Sequence, residues 1–262
     1  MKKILILSLL MLVAAAEVSA QRNNRKNRDI SVEDVEYKSV VLSHPEVREI
    51  AMFCPVDLTI VDGEEGYIEI SYPVVEEECI RYSIYEDDKF GVGRNGDMKT
   101  PKNSILSDEI PIRMTVSLPQ LRRIFCNDCA MVDIIIEHDS FAQTLQIDNG
   151  MAMWIKASSI TAAESIEIRN AGTLTLEVDD WNTKSLNVSN IGGSVFLHGS
   201  TNAESVRYST TKQDNVELNV ACKNLFIFSR SKGILHFNGT ADEVEVSTQR
   251  GSRAMISYPI AE

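Results

Sequence analysis

The chain has 262 residues, of which 44% are hydrophobic and 24% charged, and its formal net charge at pH 7 is −12. Because an acidic surface repels polyanions, this charge disfavours nucleic acid or an anionic membrane as the main partner. After the N-terminal apolar run, no segment approaches the roughly 20 apolar residues that a membrane-spanning helix needs. No membrane span is therefore expected.

The N-terminus has the pattern of an export signal. Two lysines precede an apolar run from Ile4 to Ala16, which is too short to cross a bilayer but typical of the centre of a signal peptide. Val18 and Ala20 fit the two positions that signal peptidase inspects. Residues 1–20 are therefore predicted to be a signal peptide, and the protein is expected to be periplasmic, at the cell surface or extracellular.

Residues 21–30 are predicted to be a basic linker. They contain the sequence QRNNRKNRD, which has four cations and no apolar residue. Such a composition favours a solvated connection after the cleavage site. The alternative is a basic arm.

Residues 31–120 are predicted to form an N-terminal β section, because they contain short alternating stretches rich in β-formers. Asp62-Gly63 suggests a hairpin turn. The glycine-containing segment Gly91–Asp108 is interpreted as an exposed loop. The predicted strands lie near Arg48–Phe53, Val56–Val61, Tyr67–Tyr72, Ile80–Tyr85 and Pro111–Leu118.

Residues 121–262 contain a repeat, in which pairs of inward-facing residues recur at intervals of 19–21 residues. A short polar residue follows each pair by two positions, as expected at a corner of the backbone. The pairs are Ile124-x-Cys126, Leu145-x-Ile147, Ile166-x-Ile168, Leu186-x-Val188, Val206-x-Tyr208, Leu225-x-Ile227 and Val244-x-Val246.

A second strand follows each corner, from Val132-x-Ile134 to a weaker copy at Ala254-x-Ile256. A unit of this length cannot enclose a core alone, but units stacked about 4.8 Å apart align their inward side chains into columns. Leucine-rich repeats have similar periods, but their sequence frame is absent here. The predicted fold is all-β: a parallel β-helix-like solenoid of about seven coils, preceded by the N-terminal β section.

The number of cysteines is odd, so at least one cannot pair within the molecule. Cys126 and Cys129 have CxxC spacing, but a redox motif normally opens a helix, and a zinc site needs a second pair or nearby histidines. Cys126 is therefore interpreted as a buried small hydrophobe. The cysteines are Cys54, Cys79, Cys126, Cys129 and Cys222.

The layout of a β section followed by coils of the form L-x-I-x-N-x-G resembles the head-GIN domain of putative auto-transporter adhesins from Bacteroidetes-type bacteria. The resemblance covers roughly residues 45–258. Asp148-Asn149-Gly150 stands at a corner where family members usually carry Gly-Ser-Gly-Asp. The family implies a β-helix-like architecture and an adhesive or surface role, without catalytic residues to transfer.

No arrangement in the sequence indicates catalysis. The carboxylates of Asp87/Asp88 and Asp179/Asp180 are neighbours in sequence, and neighbours on a strand point to opposite faces. The four histidines have no metal-ligand spacing, and no nucleophile motif or phosphate loop is present. No catalytic residue, metal or cofactor is predicted.

Each coil has a second strand with one central outward residue, and the predicted register places these outward residues in one ladder along the solenoid. Trp154 and Phe196 would lie two coils, or about 10 Å, apart and could form an aromatic platform for sugar rings or a partner protein. The alternative is that the N-terminal section or a loop covers this face. The ladder is Asp133, Trp154, Thr175, Phe196, Glu217, His236 and Met255, in which Trp154, Thr175, Phe196, Glu217 and His236 are the predicted binding residues.

The sequence thus favours an exported, non-enzymatic binding or adhesion module whose partner is a glycan or a surface protein. The alternative is a β-helix enzyme that acts on carbohydrate, a polysaccharide lyase or a glycoside hydrolase.

The first testable expectation concerns processing. We expect the mature protein to begin at Gln21, because the small residues before this position fit signal peptidase and the charged tract after it cannot belong to the apolar run. Mass spectrometry of the exported protein measures this terminus. A start far from Gln21 would contradict the assignment.

Overall fold

In the computed structural model, the described residues are 32–259, apart from 45, 64, 87, 95–103, 128–130, 139, 212–213, 231 and 250–251. The chain divides into Met1–Val35, in which a 3₁₀ helix spans Val32–Asp34, and Glu36–Glu262, which carries the strands. The predicted signal peptide and basic linker lie outside the described residues. Within the described part, no helix has the length and apolar character to cross a membrane.

The fold is all-β, as predicted, and the described strands belong to one hydrogen-bonded sheet. A second 3₁₀ helix spans Val74–Glu76. The strands are β1 (Tyr37–Ser43), β2 (Glu49–Met52), β3 (Val56–Ile60), β4 (Tyr67–Pro73), β5 (Ile80–Tyr85), β6 (Lys89–Arg94), β7 (Ile112–Ser117), β8 (Arg123–Cys126), β9 (Met131–Ile136), β10 (Ser140–Phe141), β11 (Thr144–Asn149), β12 (Ala152–Asn170), β13 (Thr173–Asn190), β14 (Gly193–Thr210), β15 (Asp214–Ser229), β16 (Ile234–Thr248) and β17 (Met255–Ser257).

Each coil has three straight legs, and each of the long strands β12–β16 supplies the last two legs of one coil and the first leg of the next. In β13 these are residues 173–178, 180–183 and 185–190, which we call the second leg, the third leg and the first leg of the next coil. Equivalent legs stack in parallel, so the described residues make a β-solenoid of about six turns. The first legs also include β2, β8 and β11, the second legs β3, β9 and β17, and the third legs β10.

The predicted register is confirmed in the middle coils and wrong by two residues at both ends. Ile124 lies opposite Ile147 rather than Leu145, so Cys126 occupies the corner position. At the C-terminal end, Leu235 lies opposite Ile256 rather than Ala254. The physical reason is that these two coils are each two residues longer than the sequence pairs suggested.

The N-terminal section supplies further rungs and a cap. β2 and β3 pair in parallel with β8 and β9, and on their other side β6 and β7 pair with them, also in parallel. Beyond these, β5 pairs with β6 and β4 with β7, both antiparallel, and β1 pairs antiparallel with β4. The stack therefore ends in antiparallel strands at this end.

Three expectations for the N-terminal section require correction. The strands on either side of Asp62-Gly63 do not form a hairpin, because β7 lies between β3 and β4. The predicted loop Gly91–Asp108 begins inside β6, and its residue Leu106 is buried; its residues 95–103 lie outside the described part. β1 was not predicted, because its burial is only partial and its apolar pattern is weak.

The core consists of columns of inward side chains. One column runs through Ile147, Ile168 and Val188 to Tyr208, and each is at most 2% exposed. Within this column, the ring of Tyr208 packs edge-to-face on Phe237, with ring centroids 5.5 Å apart. Cys126 is fully buried, which confirms its interpretation as a core residue.

A buried polar column follows the first legs at the corner. Asn149 Nδ2 donates to Asn170 Oδ1 at 2.7 Å, and Asn170 Nδ2 donates to Asn190 Oδ1 at 2.9 Å. Asn170 also bonds the backbone of Gly172, donating to its carbonyl at 2.7 Å and accepting from its N–H at 3.2 Å. The buried polar column therefore provides hydrogen-bond partners both for its own side-chain amides and for the backbone of the adjacent turn.

Glycine is required where the corners approach one another. Gly193 has a φ of +86°, and a Cβ there would lie 2.0 Å from the carbonyl oxygen of Gly172 in the preceding coil. Any side chain at this position would separate the two coils.

Substitution of Ile168 by Asp tests the core. The change places an unpaired carboxylate in an apolar column, at a cost of several kcal/mol, so the melting temperature and export yield should fall sharply. Ala163→Asp, on an exposed position of the same coil, is the control and should leave both nearly unchanged. An unaltered melt of Ile168→Asp would mean that the register is wrong.

Substitution of Asn170 by Ala tests the polar column. Because it leaves buried groups of Asn149, Gly172 and Asn190 without this partner, we expect a loss of about 3 kcal/mol in the free energy of unfolding. Asn202→Ala is the matched control, since Asn202 is exposed and donates a single long bond of 3.3 Å to Asn182. Equal denaturant midpoints for the two variants would contradict a stabilising ladder.

Candidate functional site

The outward side chains of the second legs, here called the second-leg face, contain the predicted binding residues. Neighbouring rungs place Trp154 beside Thr175, Thr175 beside Phe196, and Phe196 beside Glu217, with His236 next. The five residues therefore share one ladder, with Trp154 and Phe196 two rungs apart.

The end of the ladder differs from the prediction. Ser257, rather than Met255, lies opposite His236, and its hydroxyl forms a hydrogen bond with the Nδ1 of that histidine. Met255 lies opposite Ile234 in the neighbouring outward column. The cause is the same two-residue shift that affects the last coil of the core.

Trp154 is the largest exposed aromatic side chain of this face, with 47% of its surface accessible. Met131 and Ile135, which flank it diagonally on the preceding rung, are 46% and 50% exposed. Phe196 and Thr175 are partly buried, and Glu217 and His236 are exposed. The described residues of the N-terminal section and loops thus leave the centre of the face open.

Carboxylates continue the ladder on the N-terminal side of Trp154. Asp133 lies beside Trp154, and Asp57 lies beside Asp133 on the next rung. Partial desolvation raises the pKa of both carboxyls; the charge of Asp133 raises that of Asp57 further, whereas Arg113 lowers it. The guanidinium of Arg113 lies 4.4 Å from the centre of the Tyr37 ring.

Reasoning from the sequence missed this carboxylate pair, because Asp57 belongs to the N-terminal section and was not aligned with the coils. The sequence nevertheless contains a pattern that could have identified the pair. Val56-x-Leu58 has the inward pattern of a second leg, which would have placed Asp57 in the same ladder as Asp133.

A groove lined by both polar and apolar side chains runs along the corner between the second and third legs. It has a volume of about 840 Å³, and charged or ionisable residues of successive rungs line it, namely Glu137, Lys156, Glu177, Asp179 and His198. Within the part of the chain that the structure describes, no three His, Cys, Asp or Glu side chains are arranged to hold a metal ion. The groove adds hydrogen-bonding groups beside the apolar centre of the second-leg face.

Comparison with known proteins identifies the fold. No protein-family model matches the sequence, and no curated protein matches it. The chain is similar to the solved structure of a putative adhesin from Bacteroides fragilis, with 15% identity and a TM-score of 0.64 over 86% of this chain and 97% of that one. It is also similar to a putative adhesin from Parabacteroides distasonis, with 12% identity and a TM-score of 0.53 over 82% of this chain and 95% of that one.

At these identities the likeness establishes the β-solenoid fold alone. Membership of the head-GIN family stays a prediction.

Proposed function

We propose that the protein is an exported, non-enzymatic binding module of the adhesion type, which holds a glycan or a surface protein on its second-leg face. The observation that carries the proposal is the exposure of Trp154, together with Met131 and Ile135, on an ordered sheet surface. An exposed apolar cluster with a polar surround is typical of a binding surface.

The chemistry of the ladder suits such a role. The Trp154 ring offers a large apolar face that binding can bury without ordering a flexible chain. Glu217 and His236 on one side, and Asp133 on the other, supply hydrogen-bonding groups that would orient the ligand. Because the rungs are paired on both sides, these groups are held in place before the ligand arrives.

The cellular setting is inferred from two sources. The predicted signal peptide indicates export, and the solved structures that share the fold include putative adhesins. Both support a role at or beyond the cell envelope, with the cell surface as the proposed location.

A glycoside hydrolase is the second candidate, and Asp57 with Asp133 is the observation that favours it. Adjacent rungs are about 4.8 Å apart, which is close to the roughly 5 Å between the carboxyls of retaining glycosidases. However, both side chains are exposed on the same sheet face and therefore share one solvated environment. A catalytic pair requires environments that separate the acid from the nucleophile, so binding is the better explanation.

The double substitution Trp154→Ala and Phe196→Ala tests the binding proposal. A glycan array and an envelope-protein pull-down first select the tightest ligand of the unaltered protein. We expect the double variant to lose at least about 30-fold in affinity, since interface aromatics contribute about 2 kcal/mol or more. Its stability should change by less than about 1 kcal/mol per outward residue.

Ile191→Ala is the matched control, because Ile191 is 49% exposed but lies at a corner away from this face. Ile155→Ala and Leu197→Ala, at buried neighbouring positions, should lower the melting temperature first. Unchanged affinity in the double variant would refute the site, and unfolding would show that the two aromatics belong to the core.

Hydrolysis assays separate the two candidates. New saturated reducing ends from a polysaccharide panel, lost on Asp57→Asn or Asp133→Asn, would show that the protein is a glycoside hydrolase and would contradict the binding module.

A further inference from the structure

A second groove lies on the outer face of the first legs, in the C-terminal coils. It has a volume of about 450 Å³, and we call it the first-leg groove. Phe226 and Phe228 occupy alternate outward positions of one rung and are partly buried. The neighbouring rungs place Arg207 and Glu245 on either side of Phe226.

Two arginines are stacked on the aromatic rings of this groove. The guanidinium carbon of Arg207 lies 4.9 Å from the centre of the Phe226 ring, and that of Arg230 lies 5.6 Å from the centre of the Phe228 ring. Stacking on a ring orders a guanidinium but leaves its N–H groups at the edge available to an acceptor.

Arginines at the other end of the same face are used differently. Arg122 bonds Glu49 and Asp88 at 3.1 and 2.9 Å. Arg123 bonds Asp148 at 2.7 Å and Glu49 at 3.4 Å. By contrast, neither Arg207 nor Arg230 has an ion pair with any residue that the structure describes. In a chain with 38 acidic and 26 basic residues, Arg207, which lines the groove, and Arg230, which stacks on the Phe228 ring at its edge, supply two cations that no carboxylate among the described residues neutralises.

The remaining lining identifies the kind of anion. Asn187, Ser189, Ser209 and Ser247 line the groove with amide and hydroxyl groups, which are suited to the hydroxyls of a sugar. The rungs that carry Arg207 and Phe226 are paired on both sides, so their backbone has no free edge for a peptide strand. The outermost rung of the groove, which carries Glu245 and Ser247, is paired on one side within the described residues, and its acidic side chain discourages edge pairing.

We infer that the first-leg groove binds an acidic saccharide. Carboxylates of the uronic acid units accept hydrogen bonds from Arg207 and Arg230, and the sugar rings pack on Phe226 and Phe228. Glu245 accepts hydrogen bonds from hydroxyls and repels the ligand carboxylate, so that the carboxylate lies on the side of Arg207. This site is on a different face from Trp154, and its test is independent of the function proposed above.

The test measures binding of the purified protein to tetragalacturonate, a hyaluronan hexasaccharide and an alginate trisaccharide by calorimetry, each beside its carboxyl-reduced counterpart. We expect at least one acidic probe to bind, and at least about tenfold more tightly than its reduced form, because the charged hydrogen bonds are lost on reduction. Arg207→Gln should lower affinity for that probe by about tenfold, and Arg207→Gln with Arg230→Gln should abolish the preference.

Arg169→Gln is the matched control, because it removes a cation from the same face but one that is paired with Glu167 outside the groove. It should bind as the unaltered protein does, and so should Ile191→Ala, which removes an exposed apolar side chain outside the groove. Phe226→Leu keeps most of the apolar volume but removes the ring, and should weaken binding with little change in melting temperature.

Three results would overturn the assignment. These are absence of binding to all three acidic probes, equal affinity for the reduced forms, and unaltered binding by the double arginine variant. Tighter binding to phosphatidylglycerol vesicles or to polyglutamate than to any acidic saccharide would also reject it, in favour of a lipid or a peptide.

Discussion

The register between neighbouring coils is the constraint on which the rest of the structure depends. Successive side chains of a strand point to opposite faces, so a slip of one residue would exchange core and surface along a whole leg. The buried amides of Asn149, Asn170 and Asn190 oppose any slip, because Asn149 donates to Asn170 and Asn170 donates to Asn190 across the coils at a fixed corner position. Hydrophobic burial opposes a slip of one residue, but after a slip of two residues similar aliphatic side chains would again face the core, so burial alone discriminates only weakly against it.

The two ends of the solenoid differ in how their terminal strand edges are protected. At the N-terminal end, the antiparallel strands β1, β4 and β5 lie over the parallel rungs. At the C-terminal end, the first leg of β16 has β15 as its neighbour on one side and is largely exposed, within the described residues. That rung carries Glu243 and Glu245, and charged side chains of this kind discourage edge-to-edge association.

The middle coils could be predicted from sequence because their inward pairs recur at a nearly constant interval, and Ile168 and Val188 lie where this interval places them. The prediction failed where a coil is longer, as at Ile124 and Met255. It also failed where pairing is not local, as for β3 and β4, which β7 separates. The ladder around Trp154 followed from alternation alone. The adjacent Asp57 did not, because the pairing of β3 with β9 joins distant parts of the chain.

The same alternation separates stability from recognition. Inward residues such as Ile168 and Asn170 maintain the stack, whereas outward residues such as Trp154 and Phe226 contribute little to it and can differ widely between proteins of one fold. A TM-score of 0.64 at 15% identity is what such a division allows. Ligand specificity in a solenoid is therefore a property of its own outward ladders. Here these ladders give the second-leg face an apolar and acidic character and the first-leg groove a cationic and aromatic one, so the two proposed sites differ in chemistry and lie on separate surfaces.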